Sequence, residues 1–451
     1  MKILYINKHE NSGGASKIAS SLFLNFWNYD PYCRFLVNIK ESNNPNIFEI
    51  SEFGNKNTGI ATIFWFLSKK LQNINKNFLF KRKLQSILWG LSHPKNLKNR
   101  IQGVEDFYFP NNTKFIKKII NNFDIVHLHN LHDNYFDLQF LSELSHEKPT
   151  LITLHDEWLY TGHCGASINC DKWITGCGNC PDLKIYPPIR KDATNYNWIR
   201  KSEIYKKSKL FICSPSKWLL DRAKKSTLSP AIVSSKVIPN GVDQSIFSPI
   251  DKINARKNLG VDPSNRILLF VGNKTKSNPF KDYETLELAA RIIQREKPDL
   301  NFIFYCIGEE EEDLKIDNLT IKFIPFVSDE KLLARYYQAS DIYIHAAKSD
   351  NFPTTILESL SCGTPVIATN VGGINEQIID NQNGFLVPPK KPEIMAEKII
   401  YLLENDNLLN EFSLSAITHS RNNYSKDMMI SKYNLFYKEI ISMWSQKNNN
   451  G

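Results

Sequence analysis

Two doubly wound α/β domains in tandem are predicted by three features of the sequence. A chain of 451 residues is longer than one ordinary core organises, which points to two domains. Short apolar runs of strand length alternate with helix-length segments from end to end, the rhythm of parallel sheets covered by helices. That rhythm breaks once, in the polar stretch "VDQSIFSPIDKINARKNLGVDPSN" after Gly241, and then resumes.

In the first half, "KILYIN", "CRFLVNI", "FDIVHLHN", "PTLITLHD", "LFICSPS" and "SKVIPNG" read as buried strands, and "ASKIASSLFLNFW" and "KWLLDRAKKSTL" as helices. In the second half the strands are "RILLFVGN", "LNFIFYCIG", "LTIKFIPF", "DIYIHAA", "TPVIATN" and "NGFLVPP", with helices at "DYETLELAARIIQRE" and "DEKLLARYYQAS". The expected division is a first domain over 1–246, a linker over 247–264, a second domain over 265–425, and a C-terminal helix and tail over 426–451. Sheets of this kind bind ligands at the carboxyl ends of their strands.

Composition sets the class. Apolar residues at 42% and charged residues at 23% are those of a soluble globular protein. The start "MKILYIN" has no basic lead-in or cleavage site, and no apolar run reaches spanning length, so a cytoplasmic protein with reduced cysteines is expected. The net charge of +9 is concentrated. No acid lies between Glu52 and Glu105, while ten bases do, leaving 9 − 10 = −1 for the rest. The same segment, 53–102, interleaves those bases with "IATIFWFL" and "FLFKRKLQSILWGL". Two readings stand: a surface that lies on anionic lipid headgroups, and a solvated basic face over a helical core. No nucleic-acid motif accompanies the bases, so no nucleic acid is expected as partner.

The chemistry concentrates in "SDNFPTTILESLSCGTPVIATNVGG", Ser349 to Gly373. Asp350 follows a strand, and Pro353 with Thr354 and Thr355 opens a helix whose first N–H groups suit a phosphate. Asn351 and Phe352 complete that turn. Glu358, about two turns along, is too far in to cap the helix; its carboxylate suits a vicinal diol such as a ribose. Asp350 is placed for a second polyol. The spacing thus fits a nucleotide diphosphate-sugar, with plain turn and surface roles as the bland alternative.

The chain also resembles the retaining glycosyltransferases of family four, which have the two-domain GT-B fold. That family shows two acids separated by seven residues, a small-residue–Cys-Gly-x-Pro-Val turn and Gly-Gly-x-x-Glu. Here these are Asp350 and Glu358, Ser361 to Val366, and Gly372, Gly373 and Glu376. "NSGGAS", with Gly13 and Gly14, matches the glycine loop near the donor diphosphate; "TLHD" matches the strand end whose histidine, His155, lines the sugar site. "VHLHN" and the Cys-rich loop 163–181 look like exopolysaccharide enzymes of the colanic-acid type.

The resemblance implies two Rossmann-like domains facing across a cleft, with the C-terminal helix crossing back to the first domain. It places Glu358 on the donor ribose, Asp350 on the transferred sugar and Lys281 on the diphosphate. The first acid is usually Glu, so Asp350 is one methylene short. The lysine's usual basic companion is replaced by Phe280, with Lys276 or Lys274 as substitutes. It further implies transfer with retention and no cofactor or metal at the donor phosphates, consistent with the lack of any Asp-x-Asp element. The acceptor would be a glycan of bacterial surface polysaccharide synthesis, and the basic-aromatic composition of 53–102 suits one that is polyprenyl-diphosphate-linked at the inner face of the membrane. The rivals are a nucleotide-sugar epimerase or hydrolase of the same fold, and a non-catalytic nucleotide-sugar-binding scaffold.

Cys164, Cys170, Cys177 and Cys180 form a separate cluster, with His163 beside it. Four thiolates so close suit a structural zinc that staples an irregular loop; reduced buried thiols are the alternative. Of His127, His129 and His132, at least one is expected in the core. Gly13 and Gly14 on their own make no more than a tight turn.

Overall fold

In the computed structural model the described residues are 1–50, 60–72, 84, 87–88, 90–92, 94–105 and 107–449. Two seven-stranded sheets organise the described residues. The first has order β3-β2-β1-β4-β5-β6-β7, with β1 at Ile3–His9, β2 at Arg34–Ile39, β3 at Ile47–Glu49, β4 at Ile125–His129, β5 at Thr150–Thr153, β6 at Leu210–Ser214 and β7 at Ile232–Val237. The second contains β8 at Arg266–Val271, β9 at Phe302–Ile307, β10 at Leu314–Ile316, β11 at Leu319–Ile324, β12 at Ile342–His345, β13 at Val366–Thr369 and β14 at Gly384–Val387. Its order is β10-β11-β9-β8-β12-β13-β14, parallel in every recorded pairing except β10 with β11.

Both sheets are doubly wound, and the strands that carry them are the apolar runs of the sequence. β4, "IVHLH", is buried at all five positions, as a strand covered on both faces must be. The three-residue strands β3 and β10 were not among the expected strands, because an edge strand that short has no readable alternation. The strand expected at "SKVIPNG" ends at Val237, just before Pro239. The expected helix "KWLLDRAKKSTL" is regular only over Lys217–Lys224.

Helices that bear on the site are α1 (Gly14–Tyr29), α2 (Ile60–Gln72), α3 (Thr194–Tyr205), α4 (Thr354–Ser361) and α5 (Lys426–Asn449). Part of the polar stretch read as a linker is also helical, over Lys252–Asn258, where Asp251 caps by accepting from the Asn254 N–H at 2.9 Å. Arg256 on that turn pairs with Asp341 at 2.7 Å, both buried, and Asp341 accepts the Ile267 N–H at 2.8 Å. A buried pair of this kind ties the turn to the start of β8, and removing either partner would strand a buried charge.

The chain groups into two compact units. One comprises Met1–Cys213, Asp221–Lys236 and Tyr437–Gly451; the other comprises Ser214–Leu220 and Val237–Phe436. Helix α5 therefore starts with the second unit and ends with the first, the expected crossing back. Its Tyr437 is fully buried, with its hydroxyl 2.7 Å from His127 Nδ1 and 3.3 Å from the Tyr5 hydroxyl.

Candidate donor and histidine sites

The second unit gathers its polar residues at the end of β12. His345 closes that strand, fully buried, with Nδ1 2.9 Å from the Tyr343 hydroxyl. Five residues on, Asp350 Oδ2 stands 2.7 Å from Lys281 Nζ and 3.4 Å from His345 Nε2, and Lys281 Nζ is 3.2 Å from His345 Nε2. Burial works against the Asp350 carboxylate, but the Lys281 charge and the His345 contact outweigh it and hold its pKa well below the usual carboxylate range. Burial, then Lys281, pulls His345 down to about 4, so its ring is neutral at pH 7.

The glycines of the signature explain how Asp350 is fixed. The Gly373 N–H donates to Asp350 O at 3.2 Å. A Cβ at Gly372, where φ is +59°, would fall 1.9 Å from Asp350 O, and one at Gly373 would fall 2.0 Å from Asn351 O. No side chain fits against that backbone, so both positions require glycine. Glu376, three residues on, accepts the Lys217 and Trp218 N–H groups at 2.7 Å each and so acts as a helix cap.

Helix α4 opens directly after Pro353, whose carbonyl accepts from Gln377 Nε2 at 3.0 Å. Thr354 and Thr355 form its first turn, where backbone N–H groups have no intrahelical acceptor. Glu358 is buried, and its Oε2 accepts from the Tyr337 hydroxyl at 3.0 Å. The sequence did not foretell this tyrosine, twenty-one residues away. Asn351 Oδ1 accepts from the Ser216 hydroxyl, and Phe352 packs its ring on Tyr424, 5.9 Å between centroids, as a core residue. Lys276 pairs with Glu311 and lies over the Tyr283 and Phe323 rings, at 4.9 and 4.5 Å. Lys281, Asp350 and Glu358 thus have a defined polar setting, while Lys276 is engaged with acids elsewhere in the unit.

The first unit holds a histidine cluster at the ends of β4 and β5. His127 is a core residue: Nδ1 meets Tyr437 and Nε2 meets the Thr153 hydroxyl at 2.8 Å. His129 Nδ1 lies 2.9 Å from His155 Nε2, the rings stacked 5.2 Å apart, and His129 Nε2 is buried with no partner. Burial pulls His155 down to about 4, against the pull of Asp156. His132 bridges two carboxylates, with Nδ1 2.7 Å from Asp133 Oδ2 and Nε2 3.1 Å from Asp156 Oδ2. Burial opposes its charge, yet the two aspartates raise it to about 9. Asp133 also pairs with Lys8 and accepts from the Tyr186 hydroxyl. The sequence reading missed this cluster; its signal is the repeated Leu-His-Asp, at 131–133 and 154–156. Gly13 (φ +86°) immediately precedes α1, with open space where its Cβ would be.

The His132 bridge has a pH signature. Its folded pKa of about 9 exceeds the ordinary 6.5, so its stabilising contribution is complete below about pH 6.5 and lost as pH rises through about 9. The stability advantage of wild type over His132→Gln is therefore expected to shrink by at most about 3 kcal/mol between pH 6 and pH 10. Urea unfolding of both proteins at the two pH values measures it, and an advantage that stays constant would show that His132 is not charged.

Known proteins match this architecture. Residues 251–419 match the family model described as Glycosyl transferases group 1. An Escherichia coli K12 protein named for colanic acid biosynthesis, the glycosyl transferase WcaC, is 27% identical over 70% of this chain and 76% of its own. The D-inositol 3-phosphate glycosyltransferase of Pseudarthrobacter chlorophenolicus is 31% identical over 34% of this chain, which spans only 37% of that relative. Among solved structures, sucrose-phosphate synthase from Thermosynechococcus elongatus superposes with a TM-score of 0.62 at 15% identity, covering 98% of this chain and 100% of its own. Anabaena Alr3699/HepE in complex with UDP gives 0.60 at 14%, covering 97% and 100%. At these identities the structures speak to the fold alone. Residues 251–419 thus match the glycosyl transferases group 1 family model, and the chain has the two-domain GT-B fold of these structures.

Proposed function

We propose that the protein transfers a sugar from a nucleotide diphosphate-sugar, with retention of its anomeric configuration, to a glycan acceptor in surface polysaccharide synthesis. The observation that carries this reading is the Lys281–Asp350–His345 group four residues ahead of α4, with the Glu358 carboxylate buried inside the same helix. UDP bound to a GT-B relative, and the name of the Escherichia coli relative, support a nucleotide donor and a polysaccharide product.

In this reading the α4 N-terminus receives the diphosphate and Lys281 supplies the positive charge that stabilises it as the nucleotide departs. Asp350, one methylene shorter than the acid usual at this place, acts through Lys281: it holds the ammonium ready and yields it to the phosphate. Glu358 binds the ribose hydroxyls, with Tyr337 fixing its carboxylate. Lysine and helix dipole take the part of a metal at the donor phosphates. Gly13, at the start of α1, leaves room for a phosphate to approach the backbone, and His155, neutral at pH 7, lines the sugar site. The leaving phosphate takes the acceptor's proton, so no enzyme nucleophile is assigned.

The acceptor in this reading is polyprenyl-diphosphate-linked, and the protein meets it at the inner face of the membrane. The support is helix α2, where Ile63, Phe66 and Leu67 are exposed beside an exposed Lys70, and the following helix Pro94–Ile101, where Ile101 is exposed near Lys98. Of the segment's bases, Lys56, Lys76, Lys81, Arg82 and Lys83 lie outside the described residues. Among the described residues no helix is long and apolar enough to cross a membrane.

Transfer from a panel of nucleotide-sugars, with product anomers assigned by NMR, tests the reaction. The donor's configuration is expected to persist, and Lys281→Ala is expected to lower kcat/KM by about 100-fold or more. Inversion, or donor cleavage equally fast without acceptor, would contradict transfer with retention. Sedimentation with anionic vesicles tests the acceptor side: binding at low salt that falls at high salt is expected, and absence of binding at low salt would overturn membrane docking.

A further inference from the structure

The first unit contains a stretch that its hydrophobic core does not explain. Between the short turn Trp158–Tyr160 and α3, the only regular element is the four-residue helix Lys172–Thr175. Into that stretch fall His163, Cys164, Cys170, Cys177 and Cys180, and all five line one cavity together with Trp173 and Thr194. Among the described residues no cysteine is in a disulfide.

His163 is buried and oriented as a ligand would be. Its Nδ1 lies 2.9 Å from the carbonyl oxygen of Pro187, which only accepts, so Nδ1 carries the proton and Nε2 presents its lone pair. A backbone carbonyl on the far nitrogen is the usual arrangement behind a metal-bound histidine. Nε2 in turn lies 3.4 Å from Cys180 Sγ. Two ligands at about 2.3 Å (sulfur) and about 2.0 Å (nitrogen) on one tetrahedral zinc stand about 3.5 Å apart.

The Cys-Gly-Asn-Cys turn is held in shape from outside. The Gly162 N–H donates to Cys177 Sγ at 3.2 Å, Asp192 accepts the Cys180 N–H at 2.8 Å, and Asn195 Nδ2 donates to Cys177 O at 2.8 Å. Lys172 Nζ donates to Gly178 O at 2.9 Å and Asn179 O at 2.6 Å. Asn179 sits at φ +45°, a conformation that a non-glycine residue adopts at a cost. A turn this constrained, whose two thiols share a cavity with two further thiols and an aimed imidazole, is what metal coordination requires. Among the described residues no three such groups already form a cluster that could hold a metal ion, so binding would have to draw these side chains together.

We propose that this loop binds one zinc ion through the thiolates of Cys170, Cys177 and Cys180 and Nε2 of His163. Three thiols release three protons on binding, and the site has four protein ligands, so the ion is structural and takes no part in sugar transfer. Cys164, next to His163 on the same cavity wall, is the competing fourth ligand.

The test uses the full-length protein purified without chelator. About one zinc per chain by mass spectrometry is expected, with loss of that zinc in the Cys177→Ser/Cys180→Ser variant. Should the variant fold poorly, wild type stripped of metal and titrated with Co²⁺ gives the same information: thiolate-to-cobalt charge transfer and tetrahedral ligand-field bands, saturating at one equivalent. Bands of an all-sulfur site, unmoved by His163→Ala, would overturn the assignment of His163 and give its place to Cys164. Folded wild type that holds no metal and takes up no Co²⁺, or that holds iron instead, would overturn the zinc site altogether.

Discussion

The candidate donor site depends on one half-buried ion pair, Lys281 with Asp350. Asp350 stays anionic against the cost of burial because an ammonium and an imidazole share its Oδ2. That pair joins two segments sixty-nine residues apart, the loop before helix Tyr283–Glu296 and the loop after β12. The glycine pair 372–373 presses against the Asp350–Asn351 backbone, and Glu376 caps Lys217 and Trp218. Much of the long signature serves to aim one carboxylate, and through it one lysine.

A pre-formed pair also suits the proposed chemistry. A lysine held by a carboxylate is available to a phosphate at little conformational cost, whereas a free lysine would lose side-chain entropy on binding. The loss of a methylene relative to the usual acid then has a physical place: the shorter side chain meets Lys281 at 2.7 Å rather than extending past it.

Much of the fold was legible because the strands are buried on both faces and read as continuous apolar runs, "RILLFV" and "IVHLH" among them. The donor signature was legible because Asp350, Glu358 and the glycines sit on one continuous stretch. What escaped was either very short or distant in sequence. β3 and β10 have three residues each, too few for a period to show. The helix within the polar linker is held by Arg256 reaching Asp341, eighty-five residues away. Tyr337 on Glu358, Asp156 on His132 and Pro187 on His163 are likewise contacts that only the folded topology brings about.

The most direct test of the account concerns Glu358, whose buried carboxylate accepts from Tyr337 and is assigned to the donor ribose. Thermal shifts of wild type and Glu358→Gln would be measured against a panel of nucleoside diphosphates and their sugars, each relative to the same protein without ligand. The account predicts that one nucleotide raises the Tm of wild type and that Glu358→Gln loses most of that rise, which would also name the donor base. Equal shifts in both proteins, or none in wild type with any nucleotide, would contradict it.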